Sequence, residues 1–145
     1  MPDNQLFFEE VKVGMELPDL TRLITRKTLV QFAGATDDWA EIHYDDEAAR
    51  RAGFDKGVIA PGTLIWSMMG QLMTDWLGEA GFLKLLEAQY RSWVLPGDTI
   101  TYKGVVNNKY VKDGQNYVEC EVWAENQNGE RVVPGRAVAI VPSRE

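Results

Sequence analysis

His43 is the only histidine in the chain, and Asp37, Asp38, Glu41 and Asp45 lie close to it in sequence. An imidazole titrates near neutral pH, and carboxylates beside it move that titration and fix which ring nitrogen carries the proton. Such a pair can take a proton from water and return it elsewhere, which is general acid/base work. A histidine in an acidic loop can equally be an ordinary solvated side chain. Catalysis requires convergence. Asp38 and His43 are five positions apart, which on a regular helix separates them by about 140°. They meet only if the backbone turns between them.

A second candidate lies further on, where Pro61-Gly62 opens a helix expected over Thr63–Leu77. The first amides of a helix have no partner within it and sit at the positive end of its dipole. Those of Gly62 and Thr63 could hold a carbonyl oxygen that gains negative charge. The helix itself is apolar nearly all round, with Leu64, Ile65, Trp66, Met68, Met69, Leu72, Met73, Trp76 and Leu77, so it is expected to be buried. Its methionines and tryptophans read first as core.

The elements that must position these groups follow from pattern. Glu16–Thr25 is expected to be a strand, with Pro18 marking an edge. Thr28 is expected to cap a short helix ending near Gly34–Thr36, and Asp45 or Asp46 to cap another that stops at Gly53. After the long helix the period changes to two from Phe82 to Val94. Pro96-Gly97-Asp98 turns, and a strand follows from Thr99 to Val106. Asn107–Gly114 is expected as a connection that turns at Asp113-Gly114. Val118, Cys120, Val122 and Ala124 then alternate with Glu119, Glu121, Trp123 and Glu125, which makes Cys120 a core residue. Asn126–Gly129 turns into a last strand over Arg131–Val141, where Pro134-Gly135 suggests a bulge or an edge. One early strand, short helices, one buried helix and four antiparallel strands predict an α+β domain over residues 1–145, its sheet wrapped around the long helix.

The totals agree. A length of 145 residues suits one domain, and 45% hydrophobic residues suffice for a core. A net charge of −7 argues against nucleic acid and against an anionic membrane surface. The lone Cys120 excludes an internal disulfide and fits a reducing cytoplasm. Met1–Gln5 shows no signal-peptide pattern, and Leu64–Leu77 is too short and too polar to span a bilayer. One His and one Cys do not make a usual zinc site, so no metal or other cofactor is expected.

The residues then resemble a known family, the MaoC-like acyl-thioester hydratases, which have the hot-dog fold. That family's loop reads Asp, a bulky residue, Asn-Pro, an aliphatic residue and His, and here it is Asp38-Trp39-Ala40-Glu41-Ile42-His43-Tyr44-Asp45. Phe32-Ala33 and Thr36 before it fit, as do Ala48–Phe54 and Val94-Leu95-Pro96-Gly97-Asp98-Thr99-Ile100 after it. The resemblance implies hydration of a 2-enoyl thioester, or the reverse dehydration, with Asp38 and His43 catalytic. It also implies that Gly62, at the head of the long helix, donates to the carbonyl. The substrate would be an acyl-CoA or an acyl-carrier thioester. Arg50, Arg51, Lys56 and Arg91 are candidates for its phosphates only because they flank the matched blocks, and each reads first as solvated surface.

Departures from the family keep alternatives open. Ala40-Glu41 replaces Asn-Pro, and Pro61 stands where a His often precedes the glycine. Thr74-Asp75-Trp76 resembles the small subunits of bacterial hydratases that act on steroid side-chain thioesters. That likeness makes Trp39, Trp66 and Trp76 candidate walls of a wide tunnel. A homodimer or higher homo-oligomer is expected, with a heteromer containing a second hot-dog chain also open. The alternatives to a self-sufficient hydratase are a partner subunit of such a heteromer and a hot-dog thioesterase.

Overall fold

Four of the five strands come after the long helix, and the fifth precedes every helix of more than one turn. The computed structural model describes residues 4–145. In chain order the elements are β1 (Leu20–Leu23), α1 (Arg26–Thr36), α2 (Asp46–Arg51), α3 (Gly62–Leu77), β2 (Phe82–Ala88), β3 (Thr99–Lys112), β4 (Gln115–Glu125) and β5 (Arg131–Ile140). Single 3-10 turns occupy Phe8–Glu10 and Glu41–His43. The strands form one antiparallel sheet in the order β1-β3-β4-β5-β2. The sheet curls around α3, as the α+β reading expected, and its two edges are β1 and β2.

Alternation sets the two faces of the sheet. Val118, Cys120, Val122 and Ala124 are fully buried and look inward with Ile100, Tyr102 and Val106 of β3. Burial pushes the Cys120 thiol up to about 12, as its place in the core requires. Charges and aromatics lace the outer face: Arg131 covers the Trp123 ring and pairs with Glu121, and Arg136 pairs with Glu87.

On the inner side, α3 buries Leu64, Ile65, Met69, Leu72, Met73 and Leu77. The burial is not complete around the helix. Trp66 remains 41% exposed, and Ser67, Gln71 and Thr74 share the open flank. No helix among the described residues is long and apolar enough to cross a membrane.

Several boundaries differ from the sequence reading. Paired β1 is only four residues long, although the chain already touches β3 through the Leu17 N–H on the Gly104 carbonyl (2.9 Å). Pro18 has no N–H to continue that ladder, so pairing restarts at Leu20. The cap of α1 is Thr25, not Thr28: the Thr25 hydroxyl accepts the Thr28 N–H at 3.1 Å, which makes Thr28 the third helical residue.

Residues Asn107–Lys112 continue β3 instead of leaving it. A register shift between Val106 and Asn108 absorbs one residue, and only Asp113-Gly114 turns. Pro134-Gly135 is neither a bulge nor an edge, because β5 lies inside the sheet. The Pro134 carbonyl accepts from Gln89 N–H (2.9 Å), so its missing donor falls just past the end of β2. β2 stops at Ala88, and residues 89–94 continue irregularly. The N–H groups of Arg91 and Ser92 both go to the Val132 carbonyl, and the Val94 carbonyl receives Ala60 N–H at 2.8 Å.

Candidate active site

The site is built where three segments meet: the loop after α1, the strand-like run into α3, and residues 89–94. α1 ends because Asp37 takes the left-handed conformation, φ 57°. Chain direction changes there, and the Asp38 carboxylate folds back towards its own loop, accepting Ala40 N–H at a long 3.4 Å. The 3-10 turn Glu41–His43 follows, closed by His43 N–H on the Ala40 carbonyl (3.0 Å). These two turns supply the change of direction that convergence of Asp38 and His43 requires.

Apart from tyrosine hydroxyls and the Cys120 thiol, His43 is the one buried polar side chain among the described residues, with 9% of its surface exposed. Its Nδ1 lies 2.8 Å from the Ile59 carbonyl. A carbonyl can only accept, so in the neutral ring Nδ1 carries the hydrogen and Nε2 keeps its lone pair. Ile59 is held in turn, its N–H on the Ile42 carbonyl at 3.0 Å. The tautomer is therefore set by backbone, not by an acidic neighbour.

Of the surrounding carboxylates only Asp38 shares a cavity with His43. Asp45 caps α2, its Oδ1 accepting from Glu47 and Ala48 N–H. Asp37 terminates α1. Asp46 braces the site from outside: it accepts Val58 N–H (3.0 Å) and pairs with Arg26 (3.0 Å). Those two contacts hold its carboxyl below the ordinary carboxylate value.

The cavity has a volume of about 370 Å³. Asp38, His43, Ala60 to Thr63, Ile65, Tyr90, Ser92, Trp93, Val94 and Val133 line it. Gly62 and Thr63 thus sit at its wall, at the positive end of a 16-residue helix. Neither of their N–H groups has an acceptor among the described residues; the first intrahelical bonds come from Leu64 and Ile65, both to the Pro61 carbonyl.

Gly62 is glycine for a reason of space. A Cβ there would stand 2.8 Å from the Cζ of Tyr90, closer than real Cβ contacts come.

Trp39 and Trp66 lie outside this cavity. Trp39 packs against Gly34 and meets Tyr44 edge-on at 6.0 Å. Trp66 donates its indole N–H to the Leu86 carbonyl (3.1 Å) and lines a separate groove against β2. Trp76 borders a third cavity, beside Asn4–Leu6 and Asp75. The aromatic wall of the site is instead Tyr90 and Trp93, which the sequence reading did not single out. Tyr90, Ser92 and Val94 do share one parity of the alternating run. Nothing local says that this face meets residues 60–62, because the rung joining Val94 to Ala60 spans 34 positions.

Among the described residues no three His, Cys, Asp or Glu side chains gather where a metal ion could be held. The arrangement offers an imidazole tied through Nδ1 to Ile59, a carboxyl group in the same cavity and two free amides at its wall.

The family model described as "MaoC like domain" matches residues 7–128. The chain belongs to the MaoC-like family. This MaoC-like chain is 29% identical over 136 residues to the mitochondrial 3-hydroxyacyl-(acyl-carrier-protein) dehydratase of Arabidopsis thaliana, across 92% of this chain and 79% of that protein. It superposes on the unliganded R-hydratase PhaJ1 of Pseudomonas aeruginosa with a TM-score of 0.85 at 25% identity, covering 97% of this chain and 88% of that one. The ChsH1–ChsH2 complex of Mycobacterium tuberculosis contains a chain of the same fold, with a TM-score of 0.79 at 24% identity over 90% of this chain and 98% of that one. The curled sheet around α3 is the hot-dog fold of MaoC-like proteins.

Proposed function

We propose that this MaoC-like chain adds water across the double bond of a 2-enoyl thioester and catalyses the reverse dehydration. The observation that carries this reading is the shared cavity: Asp38, His43 with Nδ1 tied to Ile59, and the unused amides of Gly62 and Thr63. Asp38 and His43 hold a water over the β-carbon. The pair takes one proton as the water oxygen bonds to that carbon, and the electrons of the double bond move onto the thioester oxygen. The Gly62 and Thr63 amides and the helix dipole stabilise the resulting enolate. The pair returns the proton to the α-carbon, the enolate collapses, and a 3-hydroxyacyl thioester is left. No metal or cofactor enters this scheme.

The carrier is coenzyme A or an acyl carrier protein; the name of the Arabidopsis relative puts its own substrate on the protein carrier. Trp39 and Trp66 would contact only a substrate extending well beyond the cavity. β2 has a neighbour on one side alone, and exposed Phe82 and Trp66 lie along it, which supports pairing with a second copy or with another hot-dog chain. The single buried cysteine supports a reducing compartment, the cytoplasm.

The test is loss of enoyl absorbance on mixing the protein with a series of 2-enoyl-CoAs and 2-enoyl carrier thioesters, with Asp38→Asn as control. Hydration by the wild type and not by the variant is the expected result. Release of free thiol in step with the loss of absorbance would mark a thioesterase. Inactivity alone, with activity restored by a co-purifying chain, would mark a partner subunit.

A further inference from the structure

Tyr90 has no role in the scheme above, yet its position is specific. Its ring tip lies on the first residue of α3, with Cζ 2.8 Å from the point a Gly62 Cβ would occupy and both Cε atoms at 3.0–3.1 Å. The nearest atoms are ring carbons and not the hydroxyl, so the ring covers Gly62 and the O–H stands one bond beyond Cζ, near the head of the helix whose Gly62 and Thr63 amides are free. The same side chain lines the cavity of Asp38 and His43. Tyr90 is 51% exposed, and its hydroxyl has no hydrogen-bond partner among the described residues.

We propose that Tyr90 is a catalytic residue of this site, its hydroxyl giving the thioester oxygen a third hydrogen bond beside those of Gly62 and Thr63. The inference rests on the hydratase reading and extends it. Three donors around one oxygen hold the enolate more strongly than the thioester, because the charge they face grows along the reaction. Partial burial raises the phenol above its ordinary value, so the donor keeps its proton through the neutral range. Gly62 then has two roles: it supplies an amide and leaves room for the ring that supplies the hydroxyl.

Tyr90→Phe removes the donor and keeps the ring on Gly62. With crotonyl-CoA and a longer 2-enoyl-CoA as substrates, kcat is expected to fall about tenfold or more while KM stays within about threefold, since the lost bond strengthens in the transition state. The melting temperature is expected to stay near that of the wild type. A second readout needs no turnover. In Asp38→Asn with bound butyryl-CoA, which has no double bond to hydrate, the thioester C=O stretch is expected to lie below its value in water. In the Asp38→Asn, Tyr90→Phe double variant it should move part of the way back.

Wild-type kcat in Tyr90→Phe, with Asp38→Asn inactive and the C=O band unmoved between the two backgrounds, would overturn the inference and leave the hydratase reading standing. Failure of the wild type to hydrate any enoyl thioester would remove that reading and this inference with it.

Discussion

At His43 one bond does the preparatory work. Donation of Nδ1–H to the Ile59 carbonyl (2.8 Å) leaves Nε2 as the basic nitrogen without any carboxylate fixing the ring. Replacing His43 by Ala is therefore expected to lower kcat by about 10²–10⁴-fold, the usual contribution of a positioned acid/base group, measured from the enoyl absorbance. Gly62→Ala tests the helix head in the same cavity. The added methyl displaces the Tyr90 ring and shifts the helix head, and a displacement of about 1 Å near reacting atoms can cost about 10²-fold. Steady-state kinetics beside a thermal melt should show activity falling much further than stability. Cys120 is the contrasting residue: its thiol is fully buried and pushed up to about 12. Thiol reagents at neutral pH are expected to leave it unmodified in the folded protein and to label it on denaturation.

Among the elements, the short segment 57–62 depends on α2 for its position. The Asp46 carboxylate accepts Val58 N–H and pairs with Arg26 of α1, so it ties two helices to the run that presents the Ile59 carbonyl and the Gly62 amide. Its carboxyl is held below the ordinary value, and the linkage has a definite sign. The stabilisation is complete above the unfolded carboxyl value of about 3.9 and is lost as pH falls through the lower folded value. Urea unfolding of the wild type and Asp46→Ala from pH 7 to pH 2 should show a gap in stability that stays open to about pH 4 and closes below it. Gly57→Ala should destabilise by about 1–3 kcal/mol, because φ there is +96° and the new methyl would press on the Asp46 carboxylate. The α2 cap was legible as Asp45 or Asp46 because a cap needs only residues two and three positions on, and the backbone angles settle it on Asp45. Thr25 was missed for Thr28 because both are threonines in the same local pattern, and only backbone angles separate a cap from a third helical residue. The length of β3 was hidden by its bulge: one extra residue breaks the period of two, so Asn107–Lys112 looked like a connection while β4 beside it stayed clear.

For the whole molecule, the antiparallel sheet around α3 was readable because period-two and helical patterns are local and the helix is apolar enough to demand cover. Strand order was not, since β2 reaches β5 across the sheet, and neither was the Tyr90 wall of the site. Asp38, His43 and Gly62 announced themselves by residue type, whereas Tyr90 gains its meaning only from touching a glycine 28 positions away. The open edge at β2, with Phe82 63% exposed and Trp66 beside it, predicts at least a dimer in solution. Sedimentation should give twice the chain mass or more, and Trp66→Asp should shift it towards the monomer. A chain with a single imidazole also reports on its own candidate site. In a ¹⁵N spectrum of the imidazole nitrogens there is one pair of resonances to assign, and both belong to His43. A protonated, pyrrole-like Nδ1 beside a bare, pyridine-like Nε2 would display the bond to Ile59 directly. Movement of the second signal alone on adding a thioester would mark the arrival of substrate with no label on the substrate itself.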